Sequence, residues 1–176
     1  MDITTERLIL HPLNPAEAAR IVAGRPDEGD RWHPEYPFEE EVELLRDLAA
    51  TDPEAVDPVF TLYVVRRRAD RLAVGGIGFF GPPDAAGQVE LGYGLVASAR
   101  GAGLATEALR AASVTAFDHG ARAIVADTTL DNRASQRVLE KAGFTETRRD
   151  DASVFYRLVA PPLAASHDAG RSGSRR

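Results

Sequence analysis

The sequence predicts an α/β fold built around a mixed β-sheet. Three strand-like runs at residues 59–67, 72–80 and 89–96 follow one another through short turns, and such a meander is antiparallel. A helical pattern then separates the third run from a buried-type strand at residues 123–127. Because a helical crossover joins parallel strands, we expect one parallel pair beside the turn that starts this helix.

The N-terminal part of the chain predicts a strand and two helices. The run "ITTERLILHPL" predicts one strand, and Asn14 is typical of the N-cap of a helix that stops at Gly24. Proline and glycine make residues 25–38 a loop. Residues 39–50 have apolar side chains at helical spacing and begin with glutamates, which suit the N-terminus of a helix.

Two helices and a hairpin complete the prediction. Gly120 and Gly143 follow helical patterns in the positions where glycine commonly ends a helix, and Asn132 lies near the start of the second pattern. Runs at residues 144–149 and 153–159 predict a final hairpin.

The composition is that of a folded chain without thiol chemistry. The 176 residues are 44% hydrophobic and include no cysteine, which excludes disulfides, thiolate metal ligands and a cysteine nucleophile. The net charge is −6, with acid concentrated at residues 27–43, which argues against nucleic acid as the main partner and favours a cationic ligand. The four histidines show no metal-ligand spacing, so no metal site is predicted.

The expected organisation is one domain over residues 1–160, followed by a disordered tail. Residues 161–176 contain no aromatic side chain and no periodic pattern. The N-terminus lacks the features of a signal peptide, and no apolar run approaches the ~20 residues of a membrane span. We therefore expect a cytoplasmic protein with no membrane partner.

The turn "ARGAGLATEALR" at residues 99–110 carries the strongest functional signal. The first N–H groups of a helix have no partner within the helix and lie at the positive end of its dipole, so they bind anions. Gly101 and Gly103 allow a ligand to approach the backbone, and Arg100 adds a cation suited to phosphate oxygens. The turn predicts a phosphate or pyrophosphate site, although glycines required only by the geometry of the turn are equally consistent.

Two other phosphate-binding motifs fit this turn less well. A P-loop requires Gly-Lys-Ser/Thr, where this chain has Gly-Leu-Ala at residues 103–105. A Rossmann turn is imitated by Gly101, Gly103 and Thr106, with Asp127 about 20 residues further on. An antiparallel meander precedes the turn, however, whereas a Rossmann turn opens a run of parallel strands.

The segment "RGAGLA" resembles the Arg/Gln-x-x-Gly-x-Gly/Ala motif of the GNAT superfamily of acyl-CoA-dependent N-acetyltransferases. Arg100, Gly103 and Ala105 occupy its fixed positions. The resemblance extends through "ELGYGLVASARGAGLATEALR" and "DNRASQRVLEKAGF", and "TERLILHPL" is similar to the first strand of the ribosomal-protein-alanine (Rim-type) branch. It covers most of residues 2–157, but residues 24–59 match no shared pattern.

The resemblance implies a GNAT fold with about seven strands in a mixed central sheet and helices on both faces. Its parallel pair splays apart at the acyl-CoA site, and the pantetheine arm inserts there like a strand. Gly92 and Gly94 suit such a close approach. The acetyl-CoA-binding residues implied are Leu95 and Val96, near the oxyanion, Arg100, Gly101, Ala102, Gly103, Leu104 and Ala105 on the pyrophosphate, and Asn132 on the pantetheine arm.

The implied reaction is transfer of acetyl from acetyl-CoA to a primary amine by direct attack in a ternary complex. Glu90 shares a strand face with Gly92 and Gly94 and is the candidate base, although a solvated strand glutamate is equally consistent. Leu139 stands where many members carry a tyrosine acid. Ser135, which matches the Rim-type N-x-x-S pattern, is the candidate acid, unless it only bonds to the helix backbone. A thiol of pKa about 8.5 also leaves tolerably without an acid.

The acceptor is predicted to be a small-molecule amine or a protein N-terminus. In the stretch "RWHPEYP", Trp32 and Tyr36 offer apolar walls and His33 can move a proton, although the loop is also consistent with one pinned to the surface by its aromatic residues. A homodimer is compatible with the sequence. The alternative function is a non-catalytic acyl-CoA-binding protein, for which the missing tyrosine is the sequence support.

Overall fold

The computed structural model describes residues 1–162, which form one eight-stranded mixed sheet with four α-helices. The strands are β1 (Ile3–Thr4), β2 (Leu8–Pro12), β3 (Leu62–Arg67), β4 (Ala73–Phe79), β5 (Gln88–Leu95), β6 (Ala123–Thr129), β7 (Thr145–Arg149) and β8 (Ser153–Val159). The helices are α1 (Pro15–Val22), α2 (Glu39–Ala50), α3 (Leu104–Asp118) and α4 (Arg133–Ala142). The strand order is β1-β2-β3-β4-β5-β6-β8-β7, which confirms the predicted fold class. The predicted tail lies outside the described residues, except for Pro161 and Pro162.

The N-terminal run is a hairpin rather than the single strand that its sequence predicts. β1 and β2 pair antiparallel, with Ile3 opposite Leu10, and this adds an eighth strand to the expected seven. The Thr5 N–H donates to the Leu8 carbonyl (3.0 Å), and the Leu8 N–H donates to the Thr5 hydroxyl (2.9 Å). The Thr5 side chain therefore closes the turn that interrupts the strand.

The helix ends follow the predicted residues. Asn14 caps α1 through a capping box with Glu17, whose N–H donates to Asn14 Oδ1 (2.9 Å). Asn132 caps α4 by accepting a hydrogen bond from the Ser135 N–H (3.0 Å), without a capping box. Gly120 and Gly143 follow α3 and α4 with φ of +96° and +101°, a conformation that favours glycine.

The parallel pair parts after only three residue pairs. β5 pairs with β6 from Gln88 opposite Ala123 to Glu90 opposite Val125. Beyond these residues β5 continues along β4, whereas β6 continues along β8 as far as Thr129. The edge of β5 that faces β6 is therefore unpaired over residues 91–95.

Helix α3 lies close to the sheet because its inner face is small. Ala108, Ala112 and Ala116 recur every four residues and are almost completely buried, beside the fully buried Leu109. The helix contacts β2, β4 and β5. Among residues 1–162, none of the four helices combines the length and the apolar character that a membrane crossing requires.

Because α3 lies close to the sheet, a larger side chain on its inner face is expected to destabilise the fold. Ala112→Leu is expected to lower the free energy of unfolding by about 1–3 kcal/mol, because a well-packed core has no space for the added carbons. Urea denaturation measures the change. Val114→Leu is the control, because Val114 is 58% exposed on the same helix. Equal stability of the two variants would contradict the close packing.

Candidate active site

A cleft of about 680 Å³ lies where β5 and β6 part. Five elements form most of its walls: the start of α2, the central parts of β4 and β5, the turn before α3, and one side of α4. The sheet thus contributes the floor of the cleft and three helix starts surround it.

The open edge of β5 presents backbone groups to this cleft. The Val96 N–H donates to the Val74 carbonyl (2.9 Å), and the Phe80 N–H donates to the Glu90 carbonyl (3.1 Å). Because hydrogen-bonded pairs alternate along an antiparallel ladder, the N–H groups of Tyr93 and Leu95 point away from β4, toward the edge that β6 has left. The Val96 N–H is therefore already paired, whereas the Leu95 N–H lies on the open edge.

The turn before α3 holds a row of unused donors. Gly101 and Gly103 both have φ of +80°, and Gly103 is the N-cap of the helix without a side-chain cap. The first backbone bond of the helix runs from the Glu107 N–H to the Gly103 carbonyl (3.1 Å). Within residues 1–162, the N–H groups of residues 101–106 have no hydrogen-bond partner. This arrangement is the anion site that the sequence predicts.

The residues predicted to bind acetyl-CoA lie on or near this turn. Arg100 is exposed at the cleft, and its Nε donates to the Leu95 carbonyl (2.8 Å). Ala102 does not line the cleft; its carbonyl accepts a hydrogen bond from Arg7 (2.8 Å). The cleft-lining members of the predicted set are Leu95, Arg100, Gly101, Gly103, Leu104, Ala105, Asn132 and Ser135.

A half-buried carboxylate of α3 ties the turn to the N-terminal hairpin. Glu107 accepts hydrogen bonds from the Thr5 hydroxyl (2.6 Å) and from the N–H of Arg7 (2.8 Å), and it pairs with the Arg7 guanidinium (2.7 Å). Burial raises the pKa of Glu107, but these hydrogen bonds outweigh it and hold the pKa below its ordinary value. Sequence analysis missed this brace, since its partners lie about 100 residues apart in the chain.

Two hydroxyl groups meet across the open edge of the sheet. The Tyr93 hydroxyl lies 2.8 Å from Ser135 Oγ, and Asn132 holds the start of α4 through the Ser135 N–H (3.0 Å). Burial raises the pKa of Tyr93 to about 12, against the opposing effect of the hydrogen bond to Ser135. Leu139, which stands where many GNAT sequences carry a tyrosine, is fully buried in the core.

Several predicted residues lie elsewhere. Glu90 is exposed and is not part of the cleft lining. Trp32 forms a bridge with Ala73 at the start of β4, and the His33 N–H donates to the Ala73 carbonyl (3.0 Å). Tyr36 is buried in the core. None of the three loop residues lines the cleft, so the loop at 31–37 fits the pinned-loop interpretation.

The floor of the cleft is made by four glycines. Gly76 of β4 lies opposite Gly94 of β5, and Gly78 lies opposite Gly92, so all four lack a side chain on the same face of the sheet. The glycine face, residues 76, 78, 92 and 94, is covered by side chains from other elements. A Cβ on Gly76 would collide with the carboxylate of Glu41.

Glu41 is the acidic group that reaches into this space. Its Oε2 is shielded from solvent and has no hydrogen-bond partner within residues 1–162. Burial raises the pKa of Glu41 to about 7, although a hydrogen bond from the Phe38 backbone opposes the shift. The sequence pattern assigns Glu41 only to the first turn of α2, together with Glu39 and Glu40. Among the described residues, no three histidine, aspartate or glutamate side chains converge as metal ligands.

Comparisons with known proteins agree with this geometry. Residues 7–145 match the family model described as an acetyltransferase (GNAT) domain. No curated protein sequence matches the chain. A probable GNAT-family acetyltransferase from Chromobacterium violaceum is 26% identical, with a TM-score of 0.62 over 90% of this chain and 85% of that one.

Two ribosomal-protein acetyltransferases share the fold at low identity. RimL, an acetyltransferase of ribosomal L7/L12 in complex with coenzyme A, is 16% identical, with a TM-score of 0.68 over 90% of this chain and 98% of that one. The ribosomal-protein-S5-alanine acetyltransferase from Vibrio fischeri is 14% identical, with a TM-score of 0.65 over 90% and 96% of the two chains. With the family match over most of its length, the chain belongs to the GNAT acetyltransferase family and is an acetyl-CoA-dependent N-acetyltransferase.

Proposed function

We propose that this cleft binds acetyl-CoA along the open edge of β5 and transfers its acetyl group directly to a primary amine in a ternary complex. The observation that carries the proposal is the parting of β5 and β6 after Glu90 beside the unused N–H groups of residues 101–106. An extended pantetheine arm can pair with the first feature, and a pyrophosphate with the second.

Each residue predicted to bind acetyl-CoA has a physical role in this proposal. The N–H groups of residues 101–105 and the Arg100 guanidinium bind the pyrophosphate. The outward N–H of Leu95 binds the thioester oxygen as negative charge develops on it. Val96 has its own N–H paired, so it contributes by holding β5 in place, and Asn132 offers its amide to the pantetheine arm.

The reaction consists of one bond formed and one broken. The amine lone pair attacks the thioester carbon, the C–S bond breaks, the thiolate of CoA leaves, and the nitrogen loses a proton. Ser135 is the proposed donor to the departing sulfur. Tyr93 acts with it, because its raised pKa keeps it protonated at neutral pH and its hydroxyl bonds to Ser135.

Two classes of acceptor fit the proposal. RimL and the Vibrio fischeri enzyme are named for ribosomal proteins, which favours a protein N-terminus, whereas the volume of the cleft also fits a small-molecule amine. A panel of N-terminal peptides and small amines separates them. A cytoplasmic location and a homodimer remain predictions from the sequence. The hydroxyl pair of Tyr93 and Ser135 argues against the non-catalytic alternative, because it supplies the donor that Leu139 lacks.

Loss of Arg100 is expected to weaken CoA specifically at its pyrophosphate. Arg100→Ala should weaken CoA binding about tenfold, the effect of one charge-assisted hydrogen bond of about 1.5 kcal/mol. S-acetylpantetheine, which lacks the pyrophosphate, should bind the variant and the wild type equally. Calorimetry with both ligands measures this. An equal loss for the two ligands would contradict the assignment of Arg100.

Removal of the hydroxyl pair is expected to slow acetyl transfer moderately. Ser135→Ala and Tyr93→Phe should each lower kcat about tenfold, because a thiol of pKa about 8.5 gains little from protonation in the transition state. The double variant should lose little more than either single variant, because the two groups act together. Release of free CoA thiol measures the rates. Single variants within twofold of wild type would show that the thiolate leaves unaided.

A further inference from the structure

The glycine face forms a chamber with one acidic group and apolar walls. The ring of Phe80 lies 2.8 Å from where a Cβ of Gly92 would stand, and the ring of Phe38 lies 3.2 Å from the corresponding point on Gly94. Leu44 and Leu62 also line this part of the cleft. Phe80 is 49% exposed, so this ring stands between the chamber and solvent.

The position of Glu41 is not explained by helix capping alone. As the third residue of α2, it can accept a hydrogen bond from the Phe38 backbone, as glutamates at this position often do. Such a cap requires one oxygen and is normally solvated, whereas Glu41 turns Oε2 into the protein without a partner. A buried acceptor without a partner is costly, so its retention indicates a ligand that donates to it.

The other polar groups near Glu41 do not satisfy it. Tyr36 lies behind it, and the negative charge of Glu41 contributes to the raised pKa of Tyr36 after burial itself. The Tyr36 hydroxyl is nevertheless unpaired within residues 1–162. Arg66 of β3 lies near Tyr36, and its Nε is also buried without a partner within residues 1–162. Its Nη2 pairs with Asp30 (3.2 Å), and Asp30 lies within 3.8 Å of Arg20 from α1. On α2 itself, Glu40 lines the cleft. No cation is therefore committed to Glu41.

We infer that Glu41 binds the acceptor amine and takes its proton, and that the acceptor is a primary amine with no carboxylate on the adjacent carbon. The inference rests on the proposed function. Glu41 lines the cleft, and a turn of its side chain brings the shielded Oε2 to an ammonium group there, which supplies the donors that Oε2 lacks. The apolar walls contact the carbon atoms next to the nitrogen. A carboxylate beside the amine would place a second negative charge against Glu41 in a desolvated chamber, which is unfavourable.

The bound ammonium loses two protons in the reaction, and Glu41 takes the first. It passes from nitrogen to the Glu41 carboxylate, directly or through one water, and the neutral amine that results attacks the thioester carbon with its lone pair. The second proton leaves nitrogen as the C–S bond breaks and replaces the one that the departing sulfur receives, so CoA leaves as the thiol. Glu41 then releases this proton to solvent after the product leaves. A carboxyl group whose pKa lies near 7 is half ionised at neutral pH and exchanges its proton readily there.

Glu41→Gln tests the inference, because glutamine keeps the shape and the capping oxygen but cannot accept the proton. With acetyl-CoA and phenethylamine at pH 7.5, kcat is expected to fall at least 100-fold, with CoA affinity by calorimetry unchanged. The wild-type kcat should rise with pH and level off near 7, and Glu41→Gln should lose this limb. Glu43→Gln, on the exposed side of the same helix, is the matched control and should behave as wild type.

Thermal unfolding separates this role from a purely structural one. Because the folded-state pKa of Glu41 is raised, the group favours folding at low pH and loses this contribution as pH rises through about 7. Glu41→Gln should therefore melt at a higher temperature than wild type at pH 8, and the difference should shrink toward pH 5. A lower melting temperature at pH 8, with activity lost in proportion, would assign Glu41 to structure and overturn the inference.

The acceptor class is tested with two compounds that differ in one group. Phenylalanine amide should be acetylated by the wild type at least 100-fold faster than phenylalanine. Equal rates, or wild-type activity in Glu41→Gln together with a loss in Glu90→Gln, would overturn the inference and leave the proposed acetyl transfer intact. A wild type that binds CoA but acetylates neither small amines nor N-terminal peptides would overturn the proposed function, and with it the role of Glu41.

Discussion

The parting of β5 and β6 is the constraint on which the site depends. Each strand keeps a full partner on its other side: β5 pairs with β4 from Leu91 to Leu95, and β6 pairs with β8 along its whole length. Neither strand therefore has to close the gap to satisfy its own ladder. The groups that remain on the open edge of β5 need partners, since an unpaired backbone donor in a dry site costs about 1–3 kcal/mol. A strand-like ligand meets this need without any change in the sheet.

The glycines around the gap have two different physical origins. A Cβ on Gly75 would collide with the backbone of Gly94 and with Leu95, so this residue is required by the packing of the sheet itself. The nearest atoms to a Cβ on Gly76 would instead be those of the Glu41 carboxylate, which belongs to another element and could turn away. Gly76 thus leaves the space above the strand that the Glu41 carboxylate occupies.

The sequence predicts the local parts of this molecule better than its long-range parts. The turn at residues 100–105 and the caps at Asn14 and Asn132 are encoded by neighbours in the chain, and the structure has them where the sequence indicates. The hairpin turn at Thr5 depends on Glu107, about 100 residues away, which no local pattern reveals. No local pattern reveals that the departure of β6 gives the Tyr93 hydroxyl access to Ser135. Sequence analysis missed Glu41 because a glutamate at the start of a helix is normally exposed. Its carboxylate is shielded here only because it lies against Gly76 of β4.

The two sides of the cleft carry charges of opposite sign. The side of the cleft beyond the open edge of β5 is positive, with Arg100, Arg137 and Lys141 beside the unused N–H groups. The side above β4 is negative, because Glu40 and Glu41 belong to the same lining. In the proposed reaction, the anionic acetyl-CoA and the cationic amine therefore approach from opposite sides of β5, which carries the outward N–H of Leu95 between them. The proposed acyl-CoA side is formed by a contiguous turn, whereas the proposed acceptor side is assembled from α2, β3 and β4. Under this proposal, substitutions on the acceptor side are expected to change which amine is used without disturbing the binding of CoA.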